Sequence, residues 1–297
     1  MLRIGVLQTC SGIDPAANAA MLVDGIGDLA GRGAAIVFTP EMSGLLDRDR
    51  ARAASRITNE DNDIVLAAVR HAAAAHGVWV QLGSLALRLA EDGKLVNRAF
   101  LIDGGGGIVA RYDKIHLFDV TLPDGETYRE SAAYRAGDRA VVAATPWGGL
   151  GLTVCYDVRF PSLYSDLAQS SADLIAVPAA FTRPTGEAHW HTLLRARAIE
   201  TGAFVVAAAQ TGKHADGRTT FGHSLVVDPW GTVLLDLGTE RGGVVVDLDL
   251  SLVTTMRARI PSLTAARPFD SALTAAPGEP SQPTCAPVAQ PDRATVS

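Results

Sequence analysis

The stretch GLGLTVCYDVRFP, residues 149–161, takes an apolar run of strand length to an abrupt end at Cys155. Polar and charged residues come directly after it, beginning with Tyr156 and Asp157. Because the end of a buried strand is rigid and opens toward a crevice, it is a suitable place to hold a reactive side chain. A lone cysteine is, however, often a small buried hydrophobe. Taken alone, the stretch leaves Cys155 equally open to a core role and to a nucleophilic role.

Two further strand-like runs end in a side chain that could take part in catalysis. AAIVFTPEMSG, residues 34–44, presents Glu41, and IVARYDKIHLFD, residues 108–119, presents Lys114. A carboxylate flanked by hydrophobes is a candidate general base, and a lysine in an apolar setting can donate a proton or stabilise an oxyanion. The alternative for each residue is an ordinary turn position. Only three of the 26 basic residues are lysine, which hints that Lys114 does something arginine cannot.

Composition and charge exclude several classes of protein. The chain has 297 residues, of which 47% are hydrophobic, so it can bury a large core. A net charge of −6 and the lack of a basic cluster argue against a nucleic-acid partner. No apolar run approaches the ~20 residues of a membrane helix, and the beginning MLRIGVLQTC does not resemble a secretory leader. We therefore expect a cytoplasmic protein with no nucleic-acid or membrane partner.

The order of predicted elements indicates a layered α/β protein. Helix-like and strand-like segments alternate over the first two-thirds of the chain, and strands dominate the remaining third. The predicted helices cover residues 15–33, 58–77, 161–172 and 186–202. We predict a single domain over residues 1–265. The tail, residues 271–297, contains five prolines and Cys285 and has no apolar periodicity, so we predict that it is disordered.

The cysteines and histidines give no independent sign of a metal site. Three widely spaced cysteines form neither a disulfide framework nor a CxxC pair. A Cys–His dyad is the obvious competitor for the catalytic role, and the candidate histidines are His116, His189, His191 and His223. His189 and His191 lie two apart on a predicted helix and so face different sides. We therefore predict no metal, no cofactor, and packing or hydrogen-bonding roles for the histidines.

Taken in order, the three strand ends carry glutamate, lysine and cysteine, and this ordered set resembles the nitrilase (carbon–nitrogen hydrolase) superfamily. Further matching stretches are NRAFLID (97–103), YRESAAYRAGD (128–138), PAAFTRPTGEAHWHTLLRARAIETGAFVVAAAQ (178–210) and FGHSLVVDPWG (221–231). The resemblance covers residues 2–260. It implies a four-layer αββα sandwich, with two sheets face to face and helices outside, and a homodimer.

The resemblance also implies a role for each catalytic residue. Cys155 would attack an amide carbonyl and form a thioester, and Glu41 would be the general base. Lys114 would stabilise the oxyanion together with the backbone N–H of Tyr156. Glu130, which matches the second glutamate of the family, would orient Lys114.

The residues after the cysteine narrow the implied substrate. True nitrilases carry Trp–Glu there, whereas this chain has Tyr156–Asp157, as in the amidase branches. The motifs look most like the branch that hydrolyses deaminated glutathione to 2-oxoglutarate and cysteinylglycine. The alternatives are an omega-amidase acting on 2-oxoglutaramate, another small-acid amidase and, more distantly, a catalytically silent binding scaffold.

Both named substrates carry an anionic keto-acid end, which requires a cationic or amide-rich anchor. We predict Arg159, Thr182 and Arg183 as substrate-binding residues together with Tyr156. The alternative for Arg159 is a structural salt bridge. Residues 42–56, MSGLLDRDRARAASR, depart from the family's pattern in a segment that shapes the pocket.

Overall fold

The computed structural model describes residues 1–89, 93–122 and 125–268. Within those ranges the strands are β1 (Leu2–Gln8), β2 (Ile36–Phe38), β3 (Trp79–Arg88), β4 (Leu95–Ile102), β5 (Ile108–Asp113), β6 (Asp119–Thr121), β7 (Thr127–Arg129), β8 (Val141–Thr145), β9 (Gly148–Leu152), β10 (Ala172–Ala176), β11 (Phe204–Ala207), β12 (Thr211–Lys213), β13 (Thr219–Phe221), β14 (Leu225–Val227), β15 (Val233–Asp236) and β16 (Gly242–Leu248). The helices are α1 (Pro15–Gly31), α2 (Arg50–Ala54), α3 (Ile64–His76), α4 (Pro161–Gln169), α5 (Arg183–Thr201), α6 (Ser251–Arg259) and α7 (Ser262–Ala265). Short 3-10 helices cover Glu60–Asn62, Glu130–Ala132 and Cys155–Arg159.

Two six-stranded sheets form the centre of the molecule. Their strand orders are β16-β1-β2-β3-β4-β5 and β15-β14-β11-β10-β9-β8. Each sheet has three parallel strands at its centre, β1-β2-β3 in the first and β9-β10-β11 in the second, with antiparallel strands outside them. Because parallel strands end at the same edge of a sheet, side chains that come after them along the chain gather there.

The two sheets pack face to face, and helices cover their outer faces. One apolar cluster joins inward residues of both sheets, such as Phe38 and Leu174, with residues of α4 and α5. A second cluster packs α1 and α3 against the outer face of the first sheet. The predicted four-layer αββα sandwich is therefore confirmed. Residues 1–265 form one compact unit.

The helix predicted over residues 58–77 begins later than expected. Asn59 caps the 3-10 turn instead, where its side chain accepts a hydrogen bond from the Asn62 N–H. The α-helix starts after Asp63, whose carboxylate accepts from the Leu66 N–H, and ends at Gly77 with a φ of 61°. The extended backbone of Asp63 separates the two segments. The segment predicted as one helix therefore contains two N-caps, Asn59 for the 3-10 helix and Asp63 for the α-helix.

The predicted tail, residues 271–297, lies outside the described residues, as does Cys285. Across the described ranges, every helix is too short or too polar to cross a bilayer.

Candidate active site

Cys155 stands at the turn after β9. It begins a 3-10 helix with a φ of 51°, a left-handed conformation that is uncommon for a residue other than glycine. Its N–H donates to the Pro178 carbonyl at 2.9 Å. Asp157, which is fully buried, holds the turn by accepting from the Val154 N–H at 2.8 Å and from the Tyr112 hydroxyl at 2.7 Å. Long-range hydrogen bonds therefore fix the strained backbone at Cys155.

Glu41 comes after β2, and its carboxylate is buried in a complete set of donors. Oε1 accepts from the Lys114 Nζ and from the Asn97 Nδ2, both at 2.9 Å, and Oε2 accepts from the Ala180 N–H at 2.9 Å. The Glu41 carbonyl accepts from the Gln210 side chain at 3.0 Å. Because these donors come from both sheets, the carboxylate is held where the two sheets meet.

Lys114 comes after β5, and its ammonium lies between two carboxylates. Nζ is 2.9 Å from Glu41 Oε1 and 2.9 Å from Glu130 Oε2, with only 2% of the residue exposed. Burial alone would lower the pKa of Lys114, but the charges of Glu130 and Glu41 overcome it and raise that pKa well above its ordinary value. The lysine is therefore a fixed positive charge.

Glu130 opens a 3-10 turn, and its Oε2 accepts a hydrogen bond from the Lys114 Nζ at 2.9 Å. Its Oε2 also accepts from the Phe118 N–H at 2.7 Å. Its Oε1 accepts from the Asn97 Nδ2 at 3.2 Å, so one amide group bridges the two glutamates. The sequence prediction of the site did not include Asn97. Its position at the start of the matching stretch NRAFLID was the available signal.

The thiol of Cys155 is kept protonated by its surroundings. Burial raises its pKa, the Glu41 carboxylate raises it further, and Lys114 offsets only part of the rise, so the pKa lies well above that of an ordinary thiol. An attack by this sulfur therefore requires the proton to move to Glu41 as the new bond forms.

These residues open into a cavity of about 630 Å³. Glu41, Lys114, Glu130 and Cys155 line it, and so do Tyr156 and Thr182 from the predicted substrate-binding set. The cavity therefore joins the four predicted catalytic residues to two of the predicted anchors.

Arg159 and Arg183 are not among the described lining residues of this cavity. The Arg159 guanidinium stacks over Phe181, 5.4 Å from the ring centroid, and contacts His189 at 3.3 Å. Arg183 is exposed and pairs with Glu187 at 2.7 Å. The role of both arginines in substrate binding stays a prediction.

Other arginines occupy the cavity wall, and sequence reasoning did not select them. They are Arg48, Arg50, Arg88, Arg129 and Arg218. Arg218 pairs with Asp216 at 2.7 Å, and Arg48 lies 3.8 Å from Glu126. Within the described residues, Arg50 and Arg129 have no carboxylate within 4.0 Å, and their side chains donate to backbone carbonyls, with one bond from Arg50 to the Arg129 carbonyl at 2.9 Å.

Comparison with known proteins finds a family and relatives that match nearly the whole of the described chain. The carbon-nitrogen hydrolase family model matches residues 3–258. The deaminated glutathione amidase of Yersinia enterocolitica is 40% identical over 263 residues, which cover 88% of this chain and 91% of that protein. The Homo sapiens protein of the same name is 36% identical, over 89% of this chain and 82% of its own.

Solved structures extend the similarity to three dimensions. The Caenorhabditis elegans NitFhit protein matches with a TM-score of 0.83 and 36% identity, over 90% of this chain and 65% of that longer one. An amidase from Nesterenkonia sp. AN1 matches with a TM-score of 0.72 and 29% identity, over 88% of this chain and 98% of that one. That structure shows the result of Michael addition of acrylamide at the active site cysteine.

Proposed function

The chain belongs to the carbon–nitrogen hydrolase family and is an amidase, and from that premise we propose that it hydrolyses deaminated glutathione to 2-oxoglutarate and cysteinylglycine. The relatives from Yersinia enterocolitica and Homo sapiens carry the name of this activity. The observation that carries the proposal is the Lys114 ammonium, held 2.9 Å from both Glu41 and Glu130 beside the Cys155 thiol in one cavity.

In the first half of the reaction, the Cys155 sulfur attacks the amide carbonyl carbon while its proton passes to Glu41. The carbonyl oxygen becomes an oxyanion, which the Lys114 ammonium and the backbone N–H of Tyr156 stabilise. Collapse of this intermediate breaks the C–N bond, and Glu41 returns the proton to the leaving amine. The products are cysteinylglycine and a thioester on Cys155, with Glu41 again a carboxylate.

In the second half, water takes the place of the amine. Glu41 accepts a proton from the water as its oxygen attacks the thioester carbonyl. The second tetrahedral intermediate forms beside the same Lys114 charge, then collapses with cleavage of the C–S bond. The sulfur recovers the proton from Glu41, and 2-oxoglutarate leaves. Glu130 takes no part in proton transfer and keeps Lys114 charged and in place.

The cavity supports an anionic substrate larger than a free small amide. Its volume of about 630 Å³ lies in the range of pockets that enclose drug-sized ligands. The guanidinium groups of Arg50 and Arg129 have no carboxylate partner within 4.0 Å in the described part of the chain. A guanidinium in the cavity wall can donate hydrogen bonds to a substrate carboxylate. Deaminated glutathione carries one carboxylate at each end, so two anchors suit it.

A direct comparison of two substrates tests this function. We expect a higher kcat/KM for deaminated glutathione than for 2-oxoglutaramate, and we expect Cys155→Ser and Glu41→Gln to abolish both reactions. A preference for 2-oxoglutaramate would make the protein an omega-amidase. If the purified, folded protein hydrolyses no amide at all, the scaffold alternative holds.

We also propose that the protein is a homodimer that acts in the cytoplasm. The dimer is supported by the family resemblance and by three exposed apolar side chains, Ile199, Trp230 and Ile260, which line one shallow hollow. Exposed apolar groups that lie together are typical of interaction surfaces.

A further inference from the structure

Two imidazole rings and a carboxylate converge outside the active-site cavity. His191 lies on α5, His223 lies between β13 and β14, and Asp236 ends β15. The His191 Nε2 is 2.9 Å from Asp236 Oδ2, and the His223 Nδ1 is 2.9 Å from Asp236 Oδ1. One donor atom of each residue lies within 4.8 Å of the other two. None of the three is required by the proposed hydrolysis.

The backbone holds these side chains in place. His223 has a φ of 53°, and its N–H donates to the Gly238 carbonyl at 2.6 Å. Its own carbonyl accepts from the Trp190 indole at 2.8 Å, and its ring stacks on Phe221 with centroids 4.3 Å apart. A non-glycine residue in this conformation costs free energy and persists only where its surroundings require it. The ring is therefore presented toward Asp236 in a fixed orientation.

The donor atoms suit a divalent transition metal. Two imidazole nitrogens and one carboxylate oxygen are a common ligand set for zinc, with bonds of about 2.0–2.2 Å. In a tetrahedral site such bonds place the ligand atoms about 3.3 Å apart. The Asp236 Oδ2 atom lies 2.9 Å from the His191 Nε2 and 3.2 Å from the His223 Nδ1, which is close to that spacing. The side chains are 25–39% exposed, which leaves room for water as a fourth ligand. We propose that His191, His223 and Asp236 bind one divalent metal ion of the zinc type.

This proposal departs from the prediction of no metal site. His189 and His191 do point to different partners, Arg159 and Asp236. The other two residues of the cluster, His223 and Asp236, lie 32 and 45 positions after His191 in the chain. The spacing of residues within one helix therefore gives no sign of this cluster. Without metal, the same atoms form a hydrogen-bonded cluster in which Asp236 accepts from both rings.

A metal at this position would cross-link elements that form part of the cavity wall. The first turn of α5 contributes Thr185 to the cavity, and β13 contributes Thr219 and Thr220. The three ligands tie α5 to the segment that links β13 to β14 and to the end of β15. Because the metal binds only the folded arrangement, it raises the melting temperature in proportion to the logarithm of its concentration once binding is saturated.

Titration of the full-length protein with cobalt(II), followed by displacement with zinc(II), tests the site. We expect one equivalent to bind, with the visible d–d absorption of a four-coordinate cobalt ion held by nitrogen and oxygen. Thiolate-to-cobalt charge-transfer bands should be absent, which separates this site from the three cysteine thiols of the chain, Cys10, Cys155 and Cys285. Light scattering before and after the titration records the oligomeric state.

Matched variants assign the ligands. His191→Gln keeps an N–H donor toward Asp236 but removes the ring nitrogen, and His223→Asn suits the left-handed backbone. Each should weaken cobalt binding at least tenfold, whereas His71→Gln, an exposed histidine on α3, should leave it unchanged. Retained amidase activity shows that the variants are folded. A hydrogen-bonded cluster only, with no saturable binding, would overturn the proposal, as would thiolate bands or full binding by both variants.

Discussion

Contacts from single residues hold two like charges close together at the centre of the site. Two carboxylates, Glu41 and Glu130, share one ammonium and one amide, from Lys114 and Asn97. The ammonium offsets the repulsion between the carboxylates, and the amide donates to both without adding charge. Asn97 is therefore a positioning residue, and its contribution can be separated from that of a merely buried side chain.

Substitution at Asn97 should reveal this role. In Asn97→Ala, two hydrogen bonds to charged groups are lost, each worth ~1.5–3 kcal/mol, and we expect kcat to fall by at least about 100-fold, with little change in KM. In Asn97→Asp, a third carboxylate adds repulsion, so the loss should be larger and should diminish as the pH is lowered. Steady-state kinetics between pH 5 and 8 give both results. Equal loss in the two variants at every pH would contradict the electrostatic role.

The raised pKa of Cys155 predicts that the free energy of unfolding depends on pH. Folding favours the neutral thiol, so its stabilising contribution is complete below the ordinary thiol pKa of about 8.5 and is lost as the pH rises toward the folded pKa. Above about pH 8.5, the wild type should lose ~1.4 kcal/mol of unfolding free energy per pH unit more than Cys155→Ala. Urea unfolding at pH 8 and pH 10 measures the difference. Parallel curves for the two proteins would show that the buried thiol does not resist ionisation.

Among the secondary-structure elements, β2 and β3 place Glu41 through a close backbone approach. A Cβ at Gly83 in β3 would fall far inside contact distance of the Thr39 and Pro40 carbonyl oxygens, just before Glu41. The Gly83 N–H donates to the Thr39 hydroxyl at 3.0 Å. Glycine here allows the residues before Glu41 to lie against β3.

Gly83→Ala should therefore reduce stability and activity together. The added methyl must push β3 away from the Thr39–Pro40 peptide, at a cost of ~1–3 kcal/mol or more, and it should displace the Glu41 carboxylate. We expect a lower urea midpoint and a kcat reduced at least tenfold. Gly31→Ala is the matched control, because nothing lies within 4 Å of a Cβ at the end of α1. Wild-type kcat in Gly83→Ala would show that Glu41 does not depend on this approach.

For the whole molecule, some residues of the site could be predicted from sequence and others could not. Glu41, Lys114 and Cys155 each come after a recognisable strand, and their order along the chain carried the family resemblance. Arg50 and Arg129 gave no such signal, because they reach the cavity from a short helix and from the end of a short hairpin strand.

The separations along the chain explain this difference. A strand end is visible in a window of ten residues, whereas the cavity wall combines segments more than 150 residues apart, from Arg48 to Thr220. The His191–His223–Asp236 cluster likewise combines residues that lie far apart along the chain. Candidate catalytic groups at strand ends can therefore be predicted from local sequence patterns. Groups that would contact the rest of a substrate cannot, because they are brought together by contacts between loops that are distant in sequence.

The surface around Trp230 gives the last prediction, which concerns assembly. Ile199, Trp230 and Ile260 are each more than half exposed and, with Met256, line one hollow of about 130 Å³. Trp230→Glu places a charge at the centre of that surface and should convert the proposed dimer into a monomer, as measured by light scattering coupled to size-exclusion chromatography. Ile64→Glu is the control, because its side chain is similarly exposed and a glutamate suits the first turn of α3. If Trp230→Glu keeps the mass of the wild type, the dimer does not use this surface.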